Sequence, residues 1–163
     1  DVERDVAEFM GAKENVSQDI LDSAELDPEI EKNLILVSDD SLVARKQVCR
    51  TIENELHLET VTTKDGKEAI DLLKSWADNN DPQLHRLAMI ISDIEMPEMD
   101  GYTFTTEVRA DERLKHLFII LHTSMSGVFN QTMVDRVGAN KFIAKFEPDI
   151  LAQAVIDTLK EVT

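Results

Sequence analysis

From Leu34 onward, apolar residues alternate between two patterns. Short unbroken runs mark strands buried on both faces, and a 3.6-residue period marks amphipathic helices. Leu34-Ile35-Leu36-Val37 is the first run, and Glu59 to Thr63 is a β-branched one. Leu87 to Ser92, Leu117 to Leu121 and Lys141 to Ala144 follow. Helical patterns lie between them. Ser41 to Leu56 turns Leu42, Val43, Val48, Cys49 and Ile52 inward. Asp65 to Trp76 does the same with Ala69, Ile70, Leu72 and Leu73. Tyr102 to Arg109 and Phe129 to Val137 are the next two, and Pro148 opens a last helix through Leu159. Five strands alternating with five helices over short connections predict an α/β fold. It is a doubly wound, five-stranded parallel sheet with helices on both faces and a site at the strands' carboxyl ends.

Residues 1–33 differ. Val2, Val6, Phe9 and Met10 have helical spacing, with Gly11 as a stop. Ile20, Leu21 and Ala24 suggest a second helical piece, and Asp27-Pro28 a turn or a fresh helix start. This N-terminal helical extension reads either as a solvated linker or as a connector to a preceding domain.

Charge sharpens that division. The net charge is −16, and residues 1–33 hold 11 acidic and 3 basic side chains, half of the excess in a fifth of the chain. Nucleic acid is a poor partner for such a surface, because neutralising phosphates needs clustered Lys and Arg. Anionic membrane surfaces are disfavoured on the same ground. No run reaches the roughly 18 apolar residues of a membrane span. A single cysteine, Cys49, fits a reducing compartment and a cytoplasmic location. A partner with a basic face, or a divalent cation, suits the acidity.

The candidate chemistry sits where the apolar runs stop. The first strand ends in Ser38-Asp39-Asp40, the third in Asp93, the fourth in His122-Thr123-Ser124 and the fifth in Ala144-Lys145. In a doubly wound sheet these ends converge on one crevice. Close carboxylates raise one another's pKa unless a cation intervenes, and a hard cation such as Mg²⁺ takes carboxylate oxygens. With Mg²⁺ bound, Asp93 stays ionised and can attack phosphorus, while Lys145 and Thr123 supply a charge and a hydroxyl to phosphoryl oxygens. The constellation is that of a phosphoryl-transfer site. One of Asp39, Asp40 and Ser41 should also cap the first helix. His122 is better placed as a packed residue than as a catalytic one.

These residues resemble the receiver domain of two-component response regulators. The likeness covers residues 34 to about 160. It rests on Asp39-Asp40, on Asp93 with Met96-Pro97 and Asp100-Gly101, on Thr123 and on Lys145. The resemblance implies a flavodoxin-like strand order of 2-1-3-4-5 and a receiver spanning 34–163. It implies Asp93 as phosphoacceptor, with Mg²⁺ held by Asp40, Asp93 and the backbone carbonyl of Glu95, and Asp39 close by. It implies Thr123 and Lys145 on the phosphoryl oxygens, Phe142 as an aromatic switch, and Glu95 and Met125 beside the water path. The donor would be a phosphohistidine on a sensor kinase. Such a domain takes up and loses its own phosphoryl group and turns over no external substrate. A phosphatase of the haloacid dehalogenase type would need an Asp two residues after the nucleophile, where this chain has Glu95.

One departure is informative. Receivers usually carry a proline after the lysine, with a cis bond, and this chain has Phe146 there. A non-proline cis bond costs about 2.5–4 kcal/mol, so the Lys145–Phe146 bond is either trans, with the following loop open to displacement, or cis at that cost. The strings Leu121 to Asn130 and Ala144 to Asp149 are similar to the C-terminal receiver of CheV-type chemotaxis proteins. Those proteins join a CheW-like coupling domain to a receiver, and Asp1 to Phe9 resembles the closing helix of that domain. The resemblance implies a chemotaxis histidine kinase, a CheW-like domain and the chemoreceptor array as partners. The alternative is a single-domain regulator acting elsewhere, such as on the flagellar motor switch.

Overall fold

The first strand, β1 (Leu34–Ser38), is buried along its whole length. Its four apolar side chains each contribute roughly 1.5–3 kcal/mol by leaving water, which suits an interior strand of a sheet covered on both faces. The computed structural model describes residues 15–24, 26, 29–124 and 131–162. β2 (Glu59–Thr63), β3 (Leu87–Asp93), β4 (Ile119–Thr123) and β5 (Lys141–Ala144) join β1 in one sheet of order β2-β1-β3-β4-β5, each neighbouring pair parallel. This is the flavodoxin-like arrangement expected.

Seven α-helices lie among the described residues: α1 (Gln18–Ser23), α2 (Leu42–Arg50), α3 (Gly66–Asp78), α4 (Pro82–Arg86), α5 (Gly101–Ala110), α6 (Gln131–Val137) and α7 (Pro148–Val162). Ile35, Val37, Met89, Ile91 and Ile120 pack with Val48, Leu151 and Val155 on one face of the sheet. Leu34, Leu36, Ile90, Ile119 and Leu121 pack with Ile70, Leu73, Phe104 and Val134 on the other. None of the described helices is long and apolar enough to cross a membrane.

Local chemistry explains the boundaries. Ser41 caps α2 by accepting the Ala44 N–H, Asp65 caps α3 through Glu68, and Asp100 caps α5 through Thr103. Several details differ from the sequence reading. Leu42 is 55% exposed rather than inward, because Ser41 starts the helix with Leu42 on its outer side. The helix runs on as a π-turn, Thr51–Glu55, where one continuous α-helix was expected. α4 was not foreseen, although Asp81 caps it and Pro82 opens it. β4 starts two residues late: Arg109 donates to the Leu117 carbonyl (2.7 Å) and Asn140 accepts the Ile119 N–H (2.8 Å). The expected helix around Val2 to Met10 and the start at Phe129 lie outside the described residues.

Two glycines let the loop after β3 close over the strand ends. A Cβ on Gly101 would stand 2.2 Å from the Asp93 carbonyl, and one on Gly66 would stand 2.4 Å from the Met99 carbonyl. The Gly101 N–H bonds the Ile94 carbonyl (2.8 Å), and the Gly66 N–H bonds the Met99 carbonyl (3.0 Å). Backbone atoms cannot swing aside, so Gly101→Ala should destabilise the fold by about 1–3 kcal/mol. Urea unfolding would show this as a lower midpoint with an unchanged slope.

Candidate functional site

Asp39 follows β1 directly and is held from three sides. Its N–H donates to the Thr63 carbonyl (3.1 Å), its Oδ1 accepts the Ser41 N–H (2.9 Å), and its own carbonyl accepts from Arg45 Nη1 (2.7 Å). Asp93 closes β3, with Oδ1 accepting the Ile94 N–H (2.8 Å). Lys145 follows β5 and donates its backbone N–H to the Thr123 carbonyl (2.8 Å). Its Nζ then lies 2.8 Å from Asp39 Oδ2 and 3.3 Å from Asp93 Oδ2. One ammonium thus spans two buried carboxylates drawn from different strands.

The sequence-predicted residues divide by position. Asp39, Asp40 and Asp93 each offer an oxygen within 4.8 Å of the others, with Asp40 exposed to solvent and the other two buried. Among the described residues, Asp39 Oδ2 accepts no hydrogen bond of good geometry and has only the ion pair with Lys145. Hard oxygen donors with a lone pair to spare fit a Mg²⁺ ion. Thr123 is buried one residue past the pairing of His122 with Asp93, and among the described residues its Oγ1 makes only a long contact with the Ser124 carbonyl, 3.5 Å. Glu95 is exposed on the loop after β3. Phe142 lies half-buried against the second core, opposite Leu121 on β4. Met125 lies outside the described residues. Arg45, which fixes the Asp39 backbone, escaped the sequence reading; its place one turn after Ser41 on α2 was the available signal.

The site matches a known pattern at the level of the whole domain. The family model for the response regulator receiver domain matches residues 35–156. The chain belongs to that family. Among curated relatives of this receiver, the chemotaxis protein CheV3 of Helicobacter pylori is 31% identical over 128 residues, 74% of this chain and 39% of that protein. A chemotaxis CheY homologue of Campylobacter jejuni is 31% identical over 126 residues, 77% of this chain and 91% of that one. CheV2 of Helicobacter pylori is 29% identical over 114 residues, and the chain spans only 34% of its length. Among solved structures, the chemotaxis response regulator CheY4 of Vibrio cholerae superposes with a TM-score of 0.62 at 30% identity, covering 77% of this chain and 97% of that one.

This receiver departs from the family pattern after its lysine. No peptide bond among the described residues is cis, so of the two possibilities Lys145–Phe146 takes the trans one. The turn is made instead by Phe146 itself, at φ +62°. Left-handed backbone at an aromatic residue costs on the order of 1–3 kcal/mol and persists only where its surroundings enforce it. Phe146 lies over a small cavity shared with Gln47, His122, Pro148 and Leu151.

The electrostatics follow from burial. Asp93 is pushed up to about 6, first by burial and then by the Asp39 charge, with Lys145 opposing both. Burial pulls Lys145 down, but Asp39 and Asp93 together outweigh it, and its pKa is raised. His122 is driven down to about 3 by burial and by Lys145, so it stays neutral at pH 7.

An acid whose folded pKa lies above its unfolded value binds more protons when folded. Its contribution therefore weakens stability as pH rises from about 4 to above 6. In the absence of divalent cations, Asp93→Asn should be more stable than the wild type at pH 7 by on the order of 1–2 kcal/mol, discounted for solvent in an open pocket. The difference should vanish near pH 4, which chemical unfolding at the two pH values would show.

Proposed function

We propose that Asp93 accepts a phosphoryl group from the phosphohistidine of a chemotaxis histidine kinase, and that the domain switches a chemotaxis signalling protein in the cytoplasm. The observation that carries this is the Asp39–Lys145–Asp93 bridge at the carboxyl edge of the sheet, with Asp40 beside it. An Asp93 carboxylate oxygen forms the new P–O bond as the donor's P–N bond breaks. The electron pair leaves with the imidazole, which takes a proton from solvent. Asp39, Asp40, Asp93 and the Glu95 carbonyl would hold Mg²⁺, whose charge supports the carboxylate and the transferring group. Lys145 Nζ and the Thr123 hydroxyl would grip two phosphoryl oxygens.

Phosphorylation would then alter the face made by α6, β5 and α7, with Phe142 as its aromatic switch. Similarity to CheV2 and CheV3 supports a receiver at 34–163 joined by residues 1–33 to a CheW-like coupling domain at the chemoreceptor array. A single-domain regulator acting on a target such as the flagellar motor switch is the second reading. The CheY homologues, matched over 91% of their length, favour it.

Phosphotransfer from a radiolabelled chemotaxis histidine kinase tests the proposal. The wild type should take label with Mg²⁺ but not when EDTA is present from the start, Asp93→Ala should take none, and Lys145→Ala should be slower by roughly 10²–10³-fold. Labelling by acetyl phosphate but not by that kinase would keep the acceptor and sink the chemotaxis donor. Mg²⁺ at about a hundred times its dissociation constant should also stabilise the fold by about 2.7 kcal/mol in urea unfolding, and Asp93→Ala should lose most of that gain.

A further inference from the structure

Residues 16–24 are tied to the same turn that carries Lys145. Val16 and Ala24 are only 6% and 8% exposed and belong to the core cluster that includes Leu56, Leu151 and Val155. Ile20 and Leu21 pack against that cluster from outside. Between them, the backbone N–H of Ser17 donates to Asp149 Oδ1 at 2.7 Å, across 132 residues of sequence. Asp149 lies in the first turn of α7, four residues after Lys145. Phe146, at φ +62°, is the bend between them, and it packs over the cavity lined by Gln47, His122 and Leu151.

We propose that this segment is a phosphorylation-sensitive strap: docked on α7 while Lys145 bridges Asp39 and Asp93, and released when Lys145 turns to a phosphoryl oxygen. The inference rests on Asp93 being the acceptor. Lys145 is nearly buried and bound to both carboxylates, and its backbone N–H is held by the Thr123 carbonyl, so turning its ammonium to a phosphoryl oxygen loads the turn that follows it. The only covalent path for that movement toward α7 is Phe146-Glu147-Pro148-Asp149. A strained left-handed bend is the element along it with a nearby alternative conformation. The Ser17–Asp149 bond is sensitive to small shifts, because hydrogen bonds weaken steeply with geometry. The strap buries only Val16 and Ala24 almost completely, with Ile20 and Leu21 partly covered, which places its opening at the low end of local stability. Its occupant is therefore the chain's own linker, and its release would carry the state of the pocket toward whatever precedes residue 16.

Hydrogen exchange on the full chain tests this, with and without beryllofluoride plus Mg²⁺ as the phosphoryl analogue. Amides in 16–24 should exchange at least about fivefold faster with the analogue, the lower range of an allosteric coupling, while those of β1 stay protected. Ser17→Pro removes the donor at a residue whose φ of −65° already suits proline. In that variant the segment should exchange fast in both conditions. By reciprocity, half-saturation with beryllofluoride should fall by about the same fivefold factor. Asp149→Asn, which keeps an acceptor but loses the charge, should lie between. Acetyl phosphate with intact-mass readout separates the two ideas. If Asp93 is phosphorylated and 16–24 keeps its protection, the strap is wrong and the acceptor stands. Without phosphorylation at Asp93, both fall.

Discussion

Two carboxylates buried side by side repel each other, and one ammonium group holds them. Asp39 and Asp93 come from neighbouring strands, while Lys145 comes from the far edge of the sheet. On a flat sheet β5 would stand roughly 14 Å from β1, three strand spacings away. A lysine side chain does not span that interval, so the twist of the sheet and the turn after Ala144 must close it. The position of that turn therefore governs the charge balance of the pocket. Anything that draws the ammonium away exposes Asp93 to Asp39, and anything positive that enters between them relieves the same repulsion.

The rest of the carboxyl edge is built to keep this geometry. Asp39 is fixed through its backbone by Thr63 and Arg45 and through its side chain by the Ser41 N–H, leaving Oδ2 to the pocket. Asp93 is pinned by one oxygen and leaves the other toward Lys145. Behind it, the loop from Ile94 to Asp100 is drawn onto Gly66 and Gly101, where backbone meets backbone. At the opposite end of β4 and β5, the Arg109 guanidinium binds the Gly138 and Leu117 carbonyls and the Asn140 side chain, which fixes where both strands begin. Register set there decides that Thr123 and Ala144 finish together and that Lys145 follows at the right height.

The pocket and the N-terminal segment meet in one short stretch of chain. Lys145 faces the pocket and Asp149 faces residues 16–24, with a left-handed phenylalanine between them. In most of the fold, local preference and tertiary contact agree. At Phe146 they conflict, and such conflicts cluster where a protein changes state.

Much of this was legible in the sequence. Apolar runs of strand length gave the strands, and their abrupt ends at Asp39, Asp93, Thr123 and Lys145 gave the candidate site, because a buried strand turns polar only where it leaves the core. Helix caps at Ser41, Asp65 and Asp100 are likewise local, needing only a side-chain oxygen within three residues of an N–H. What the tertiary structure alone decided depends on residues far apart in sequence. The exposure of Leu42, the late start of β4 under Arg109, the bridging of two carboxylates by one lysine and the docking of Val16 and Ala24 on α7 are of this kind. Periodicity reports which face of an element is buried, but not which group stands opposite it. Charge pairing, long-range hydrogen bonds and left-handed backbone are set by that opposite group, so they become visible only when the chain is folded.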